Sequence, residues 1–202
     1  IGARSAPAYP ELSRMAPTID LSFTDSFLDN LAANTRTLGT IFAKEAEAEA
    51  AIADIQAKVD ALRATVAERG NGLVLMVSGG SLSVLAPVGA PAGRGQLLYQ
   101  TLGLEPALPD VQAATHGEPI SFEFLLEHDP QWLFVIDRDA AVGTEGGQPA
   151  AQVLDNELMH RTSAWANEQI VYLDPFNWYI ITGAGLNSAN QMLDEVAAAY
   201  AD

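Results

Sequence analysis

Apolar runs along the chain predict strands that alternate with helices. Three of these runs, at residues 73–77, 132–136 and 170–173, are continuous, which is typical of strands covered on both faces. A partly polar run at 81–85 predicts a second, less buried strand. Because helical patterns separate the buried runs, the sequence predicts an α/β layer fold with a largely parallel, Rossmann-like sheet.

The longest periodic segment predicts a helix from Lys44 to Arg69. At 1.5 Å per residue it would be about 39 Å long. Its heptads are too few for a convincing coiled coil, so we expect a helix that packs along one domain or bridges two. The apolar residues that share one helical face are Ile52, Ile55, Val59, Leu62 and Val66.

Shorter patterns predict the other elements. Before the long helix we expect a helix at 7–15, a strand at 18–21, and a helix that Thr24 or Asp25 caps and that runs to Leu38, where Gly39 interrupts the pattern. After it we expect helices at 95–102, 122–127, 150–154 and 187–200, the last with Met192, Leu193, Val196 and Tyr200 on its apolar side.

The net charge of the chain limits the kinds of molecule that it is expected to bind. The chain carries 26 acidic and 10 basic residues, a net charge of −16, which disfavours nucleic acids and anionic membrane surfaces. It contains no cysteine, so disulfides and cysteine-based metal sites are excluded. No apolar run reaches the roughly 18 residues of a membrane span. Because the chain begins at Ile1-Gly2, which reads as the end of a strand, we expect a piece of a longer protein.

Candidate ligand-binding residues follow the predicted strands. In open α/β sheets, ligands bind beyond the carboxyl ends of the strands. Arg4 follows the strand end at the start of the chain, Arg138 follows the run at 132–136, and Arg94 lies in a loop rich in Gly and Pro. In so acidic a chain, a local arginine cluster would suit an anion with delocalised oxygens.

Ordinary interpretations stay open for each of these residues. Arg138 lies between Asp137 and Asp139 and could simply pair with them, and Trp178 and Tyr179 could be core aromatics. An enzymatic function has less support. The chain has no phosphate loop with its lysine and no nucleophile elbow, and Gly183–Ser188 lacks the third glycine of a dinucleotide loop.

Several short motifs, taken together, resemble the periplasmic iron–siderophore binding proteins of ABC importers, and within them the group that takes ferric catecholates. The motifs are Ser78-Gly79-Gly80, Thr115-His116-Gly117 with Ser121-Phe122-Glu123, Ile136-Asp137-Arg138-Asp139, and Leu173-Asp174-Pro175 with Trp178-Tyr179. The family fold is two α/β lobes joined by one long helix, with the ligand between them. The resemblance implies that residues 1–40 are a remnant of the amino-terminal lobe, 41–70 the linking helix and 71–202 the carboxy-terminal lobe.

The resemblance also implies roles for individual residues. Positions matched to ligand-binding residues are Arg4, Arg94, Arg138 and Trp178. His116 and Tyr179 match the pair that completes iron coordination when the siderophore supplies only four oxygens, and imidazole and phenolate are acceptable ligands for Fe(III). Glu123 matches the acid with which this lobe meets an arginine pocket on the permease.

The expected function is therefore binding rather than catalysis. The implied protein has no cofactor of its own, carries Fe(III) as a siderophore complex, and delivers it to an ABC importer permease. It would work in the periplasm or at the outer face of the cytoplasmic membrane. Three alternatives stay open: a binding protein for haem or a cobalamin, a small α/β enzyme, and a folded lobe that self-associates through surface meant for a missing lobe.

Overall fold

A six-stranded mixed sheet lies at the centre of the structure. The structure, a computed structural model, describes residues 1–23, 26–89, 94–182 and 185–201, and of Ala3 and Arg4 it describes the backbone alone. The strands are β1 (Asn71–Ser78), β2 (Ser81–Val84), β3 (Glu105–Pro106), β4 (Glu118–Ile120), β5 (Trp132–Asp137) and β6 (Ile170–Leu173).

The strand order is β4-β2-β1-β5-β6, with β3 also paired to β1. The pairs β1–β5, β5–β6 and β1–β3 are parallel, and the pairs β1–β2 and β2–β4 are antiparallel. The predicted α/β fold with a parallel-rich sheet is confirmed. The antiparallel edge arises because β1 turns directly into β2, and two strands joined by so short a turn must run in opposite directions.

Helices cover both faces of the sheet. The α-helices are α1 (Tyr9–Met15), α2 (Phe27–Ile41), α3 (Glu45–Ala67), α4 (Phe122–His128), α5 (Arg138–Val142), α6 (Ala150–Leu154), α7 (Ser163–Ala166) and α8 (Leu186–Ala199). Shorter 3-10 segments are Ala3–Ala8 and Met159–Arg161. Among the described residues, Leu97–Thr101 and Phe176–Ile181 form π-helices.

The central strands are buried on both faces, as the continuous apolar runs predict. Along β1, Val74 and Met76 join one core cluster with residues of α2, α3 and α8, whereas Leu73 and Leu75 join a second cluster under α6. Successive side chains of a strand point to opposite faces, so a strand between two helical layers is apolar at every position.

A tyrosine hydroxyl fills a gap in the hydrogen bonding of β1. On one side β1 pairs first with β3, at Asn71 and Gly72, and then with β2 from Leu75 onward. Between these partners the backbone N–H of Val74 donates to the hydroxyl oxygen of Tyr99 at 2.8 Å. Tyr99 therefore satisfies a buried amide where the neighbouring strand changes.

The long helix is confirmed as α3, although it is shorter at both ends than predicted. Of the predicted apolar face, Ile55, Val59 and Val66 are buried. The exposed side of α3 carries an ion pair to α8, from Lys58 Nζ to Asp194 Oδ1 at 2.6 Å. The division of the chain at residues 40 and 70 stays a prediction. Phe27 of α2 lies in the same core cluster as the sheet, so packing is continuous across the first of those boundaries.

Several local predictions are wrong. Residues 18–21 do not form a strand, although the N–H of Leu21 donates to the carbonyl of Ile1 at 2.8 Å. Gly39 lies inside α2, which ends two residues later at Ile41. The N-cap of α2 is Ser26, and the predicted caps Thr24 and Asp25 lie outside the described residues. Strand β6 is not fully buried, because it lies at the edge of the sheet and Tyr172 is 43% exposed.

Candidate functional site

Arg138 lies at the carboxyl end of the central strand β5 and begins α5. The carboxylate of Asp137 caps this helix by accepting the N–H of Ala140 at 2.9 Å. The cap turns the chain sharply at the end of β5, so the guanidinium of Arg138 is presented at the edge of the sheet where ligands of open α/β folds bind.

The guanidinium of Arg138 contacts residues that lie at or beyond the carboxyl ends of β1 and β6, the two strands that flank β5. Its Nε donates to the phenolic oxygen of Tyr179 at 3.0 Å, and its Nη1 donates to Ser78 Oγ at 3.2 Å. Asp139 also lies near it, with Oδ1 3.7 Å from Nη1. The alternative that Arg138 simply pairs with its neighbours thus holds in part, for Asp139. The Arg138 side chain is 34% exposed, which leaves it accessible to a ligand.

Arg94 approaches the same tyrosine from the other side. Its guanidinium carbon lies 4.2 Å from the centroid of the Tyr179 ring, a cation–π contact. Its Nη2 lies 3.5 Å from the backbone carbonyl oxygen of Tyr179, and its Nη1 donates to the carbonyl of Thr115 at 2.9 Å. Arg94 is only 9% exposed. It therefore connects two loops of the site more than it presents a free cation to solvent.

Tyr179 is the point where the two arginines meet. It lies on the π-helix Phe176–Ile181, which follows β6, and it is buried apart from 7% of its surface. Short π-helices occur often at functional sites, where the wider turn re-aims a side chain. In an acidic chain, two guanidinium groups around one phenol concentrate positive charge in one place, and the partly exposed guanidinium of Arg138 can accept an anion rich in oxygen.

His116 lies in the turn that Arg94 holds. It is exposed, and it follows Thr115, whose carbonyl accepts from Arg94. The next residue, Gly117, has a φ of +78°, and a Cβ there would lie 2.6 Å from the carbonyl oxygen of Val84. A glycine is required for the turn to reach β2 so closely. The structure thus brings the His116 turn to the cluster through the backbone.

The structure does not bring Trp178 to the accessible side of this cluster. Its side chain is 1% exposed, and its indole N–H donates to Glu195 Oε2 at 2.6 Å. Glu195 also accepts the N–H of Asp174 at 2.7 Å. Burial raises the pKa of the Glu195 carboxyl above its ordinary value, while both hydrogen bonds act to lower it. Trp178 and Glu195 fix the back of the π-helix whose next residue is Tyr179.

Glu123 lies away from the cluster on the first turn of α4 and is exposed. Its own backbone N–H and the Ser121 hydroxyl donate to the carboxylate, and these bonds lower the pKa of Glu123. Glu123 is therefore a fixed, solvent-facing negative charge. Of the predicted arginines, Arg4 has a side chain outside the described part of the structure, so its role stays a prediction.

Two residues of the cluster, Ser78 and Asp139, were not predicted as candidate site residues. Ser78 appeared only inside a motif, and Asp139 only inside another motif and as a partner for Arg138. Gly79 and Gly80, with φ of 55° and 75°, form the two-residue turn between β1 and β2, as expected for the primed turns of β-hairpins. Polar residues on both sides of such a turn, beside a second strand end, are a signal that could have found them.

A cavity lies beside the π-helix Phe176–Ile181, apart from the arginine–tyrosine cluster. Its volume is about 1020 Å³, and residues of α2, α3 and α8 line it together with Phe176 and Ile181. Its lining does not include Arg94, Arg138, His116 or Tyr179.

Within the described residues, no three His, Asp or Glu side chains form a group that could hold a metal ion, and no helix is long and apolar enough to cross a membrane.

An α/β fold with charged and aromatic residues at its strand ends occurs in binding proteins and in enzymes, so the class of this chain rests on comparison with known proteins. Residues 2–176 match the periplasmic binding protein family, and the chain belongs to that family. It is 34% identical over 198 residues to the petrobactin-binding protein YclQ of Bacillus subtilis, a match that covers 97% of this chain and 60% of YclQ. The chain spans about 60% of the length of the curated relatives it matches.

Solved structures agree with this assignment. The TroA-like periplasmic binding protein of Xylanimonas cellulosilytica is 48% identical with a TM-score of 0.93, and the match covers all of this chain and 68% of that protein. The periplasmic catecholate-siderophore binding protein VctP of Vibrio cholerae is 32% identical with a TM-score of 0.87, over 98% of this chain and 70% of VctP. The predicted family and fold are therefore confirmed.

Proposed function

We propose that this chain is part of the substrate-binding protein of an ABC importer, and that the protein binds an anionic ferric siderophore of the catecholate type. The observation that carries the proposal is the convergence of Arg94 and Arg138 on Tyr179. Relatives named for binding petrobactin and catecholate siderophores support the class of ligand.

The chemistry of the cluster fits such a ligand. Three catecholate groups around Fe(III) give a complex with a charge of 3−, since each catecholate carries two negative charges. Guanidinium groups offset this charge and donate to the catecholate oxygens. The partly exposed guanidinium of Arg138 also offers a cation–π contact to the aromatic rings of the ligand.

Iron in this proposal is cargo that the siderophore brings. The protein acts by binding and has no cofactor of its own. His116 and Tyr179 would complete the coordination sphere when the siderophore leaves two positions open. For Tyr179 to do so, its phenolic proton would leave to solvent, and the phenolate oxygen would bind iron while it still accepts the hydrogen bond from Arg138.

The test is tryptophan fluorescence of the full-length protein during titration with a ferric tris-catecholate complex. Quenching should saturate, and Arg138→Ala should weaken binding about tenfold or more, as expected for a lost charge-assisted contact. Arg161→Ala, at an exposed arginine on a 3-10 segment, is the matched control and should bind like wild type. Saturation by haemin or a cobalamin, with none by ferric catecholates, would favour the alternative ligands.

Docking to the permease is proposed for Glu123. The exposed carboxylate at the start of α4 can pair with an arginine on a membrane partner. Glu123→Arg should leave ferric catecholate affinity unchanged and abolish stimulation of the importer's ATPase in proteoliposomes. Glu127→Arg, one turn further along the same exposed helix face, is the control for the change of charge. Equal loss in both variants would show a general charge effect and count against a specific contact.

A further inference from the structure

A buried carboxylate, Asp139, lies behind the arginine–tyrosine cluster. It is 7% exposed. Its Oδ2 accepts the backbone N–H of Gly79 at 2.6 Å, and its Oδ1 accepts the hydroxyl of Ser78 at 3.2 Å. A buried carboxylate is costly unless its oxygens are hydrogen-bonded, and these contacts meet that requirement. Asp139 thereby joins the turn after β1 to the helix after β5.

The Ser78 hydroxyl transmits the orientation of Asp139 to Arg138. A guanidinium has only donors, so Ser78 Oγ must accept from Arg138 Nη1 at 3.2 Å. The single hydroxyl proton is then available for Asp139 Oδ1. The carboxylate also lies 3.7 Å from Nη1 and attracts the guanidinium by charge. Both effects turn Arg138 toward this position, from which its Nε reaches the Tyr179 hydroxyl.

We infer that Asp139 is a positioning residue for the ligand site, which acts through Ser78 and Arg138 to fix the guanidinium against Tyr179. The need for such a residue follows from the charge of the chain. With a net charge of −16, many surface carboxylates compete for an accessible arginine side chain. A buried acid at its base holds Arg138 in one place, so less conformational entropy is lost when the anion binds. The nature of that anion rests on the proposed function, but the positioning of Arg138 does not.

The first test needs no ligand. In the protein labelled with ¹⁵N, the Nε–H of Arg138, assigned by its loss in Arg138→Lys, should exchange slowly with solvent because it donates to Tyr179. Asp139→Asn should accelerate this exchange about tenfold or more, because the charge that attracts the guanidinium and orients Ser78 is lost. Ser78→Ala should have a similar effect while leaving the Asp139–Gly79 bond in place, so the test does not depend on one variant folding.

Asp129→Asn is the matched control. Asp129 accepts a backbone N–H and a hydroxyl from one serine, Ser163, at 2.6 and 2.7 Å, the same donor chemistry at a remote position. This variant should leave the Arg138 signal unchanged. Wild-type exchange of Arg138 Nε–H in both Asp139→Asn and Ser78→Ala would overturn the inference.

A double-mutant cycle gives the second test, with a ferric tris-catecholate as the probe. Asp139→Asn should weaken binding about tenfold in the wild-type background and have little further effect in Arg138→Ala, because it acts through that arginine. An equal loss in both backgrounds would show a general structural role and contradict the inference. If the wild-type protein fails to bind the probe, the proposed ligand is wrong, and the exchange measurement still decides the role of Asp139.

Discussion

Arg138 and Tyr179 are 41 residues apart in sequence, yet Nε of the arginine donates to the phenolic oxygen of the tyrosine at 3.0 Å. The bond joins the residue after β5 to the π-helix after β6. Since these parallel strands are neighbours in the sheet, their carboxyl ends meet at the same edge. The order of the strands in the sheet therefore brings Arg138 and Tyr179 together.

Tyr179→Phe isolates the hydroxyl of this pair. The variant keeps the ring that Arg94 contacts and removes the acceptor for Arg138. The free energy of unfolding should fall by about 0.5–1.5 kcal/mol, the usual net value of one hydrogen bond. Ferric complexes of tetradentate siderophores should lose more affinity than hexadentate ones, because only the former need a protein oxygen on iron.

Fluorescence titration measures both affinities, and His116→Ala should show the same preference. His128→Ala, at an exposed histidine on α4, provides the control. Equal losses for tetradentate and hexadentate complexes would remove His116 and Tyr179 from iron coordination while leaving the arginine site untouched.

The two arginines that contact Tyr179 should respond differently to replacement by lysine. Arg94 is buried and contacts the carbonyls of Thr115 and Tyr179 together, which one lysine ammonium cannot reproduce. Arg94→Lys should therefore lower the free energy of unfolding by about 1–3 kcal/mol, the cost of leaving buried groups unsatisfied. Arg138→Lys should change stability less and affinity for ferric catecholates more. Chemical denaturation and titration of both variants make the comparison, and identical behaviour would contradict it.

The partly buried carboxyl group of Glu195 should make the free energy of unfolding depend on pH. Burial raises its pKa in the folded protein above the ordinary value of 4.5, so protonation of this group favours the folded state. Its contribution is present below the ordinary pKa and is lost as pH rises through the raised value. Glu195→Gln removes this titration. The stability of the variant relative to wild type should therefore increase as pH rises above 4.5.

Denaturation in urea across that pH range measures the difference. Glu127→Gln, at an exposed glutamate on α4, gives the background for removing one charge from the acidic chain. A difference between Glu195→Gln and wild type that stays constant with pH would show that the carboxylate does not titrate in this way.

Tyr99→Phe removes the hydroxyl that accepts the backbone N–H of Val74 in β1. Its removal leaves the N–H of Val74 unsatisfied inside the core, which should cost about 1–3 kcal/mol of stability. Tyr9→Phe, at a tyrosine that is 40% exposed, should cost much less. Thermal or chemical denaturation distinguishes them, and similar losses would mean that water or a backbone shift replaces the Tyr99 hydroxyl.

The elements with strong periodicity were predictable from the sequence. The apolar face of α3 and the continuous runs of β1 and β5 depend on many residues, so no local interaction overrides them. The predictions that failed concern short segments, whose structure depends on only a few residues. The run at 170–173 is apolar like the central strands, but sheet order places it at an edge, and sheet order is not written in the run itself.

The residue types of the arginine–tyrosine cluster were predictable from the sequence, but the contacts between them were not. The strand-end rule selected Arg138 and the family motifs selected Trp178 and Tyr179, yet neither could tell which aromatic faces the arginines. That choice depends on the π-helix, whose geometry has no simple sequence pattern. The contacts of Arg94 were also beyond prediction, because its partners are backbone carbonyls, which every residue possesses.

This last property makes the site adaptable. Since Arg94 holds the 115–117 turn by its main chain, substitutions of the Thr115 and His116 side chains need not disturb the anchor. Gly117 limits variation at one position only. The anchor of this turn therefore depends on a main-chain contact, and the side chains at 115 and 116 take no part in it. A combinatorial library at residues 115 and 116 can therefore change the chemistry of this turn while its anchor to Arg94 stays in place.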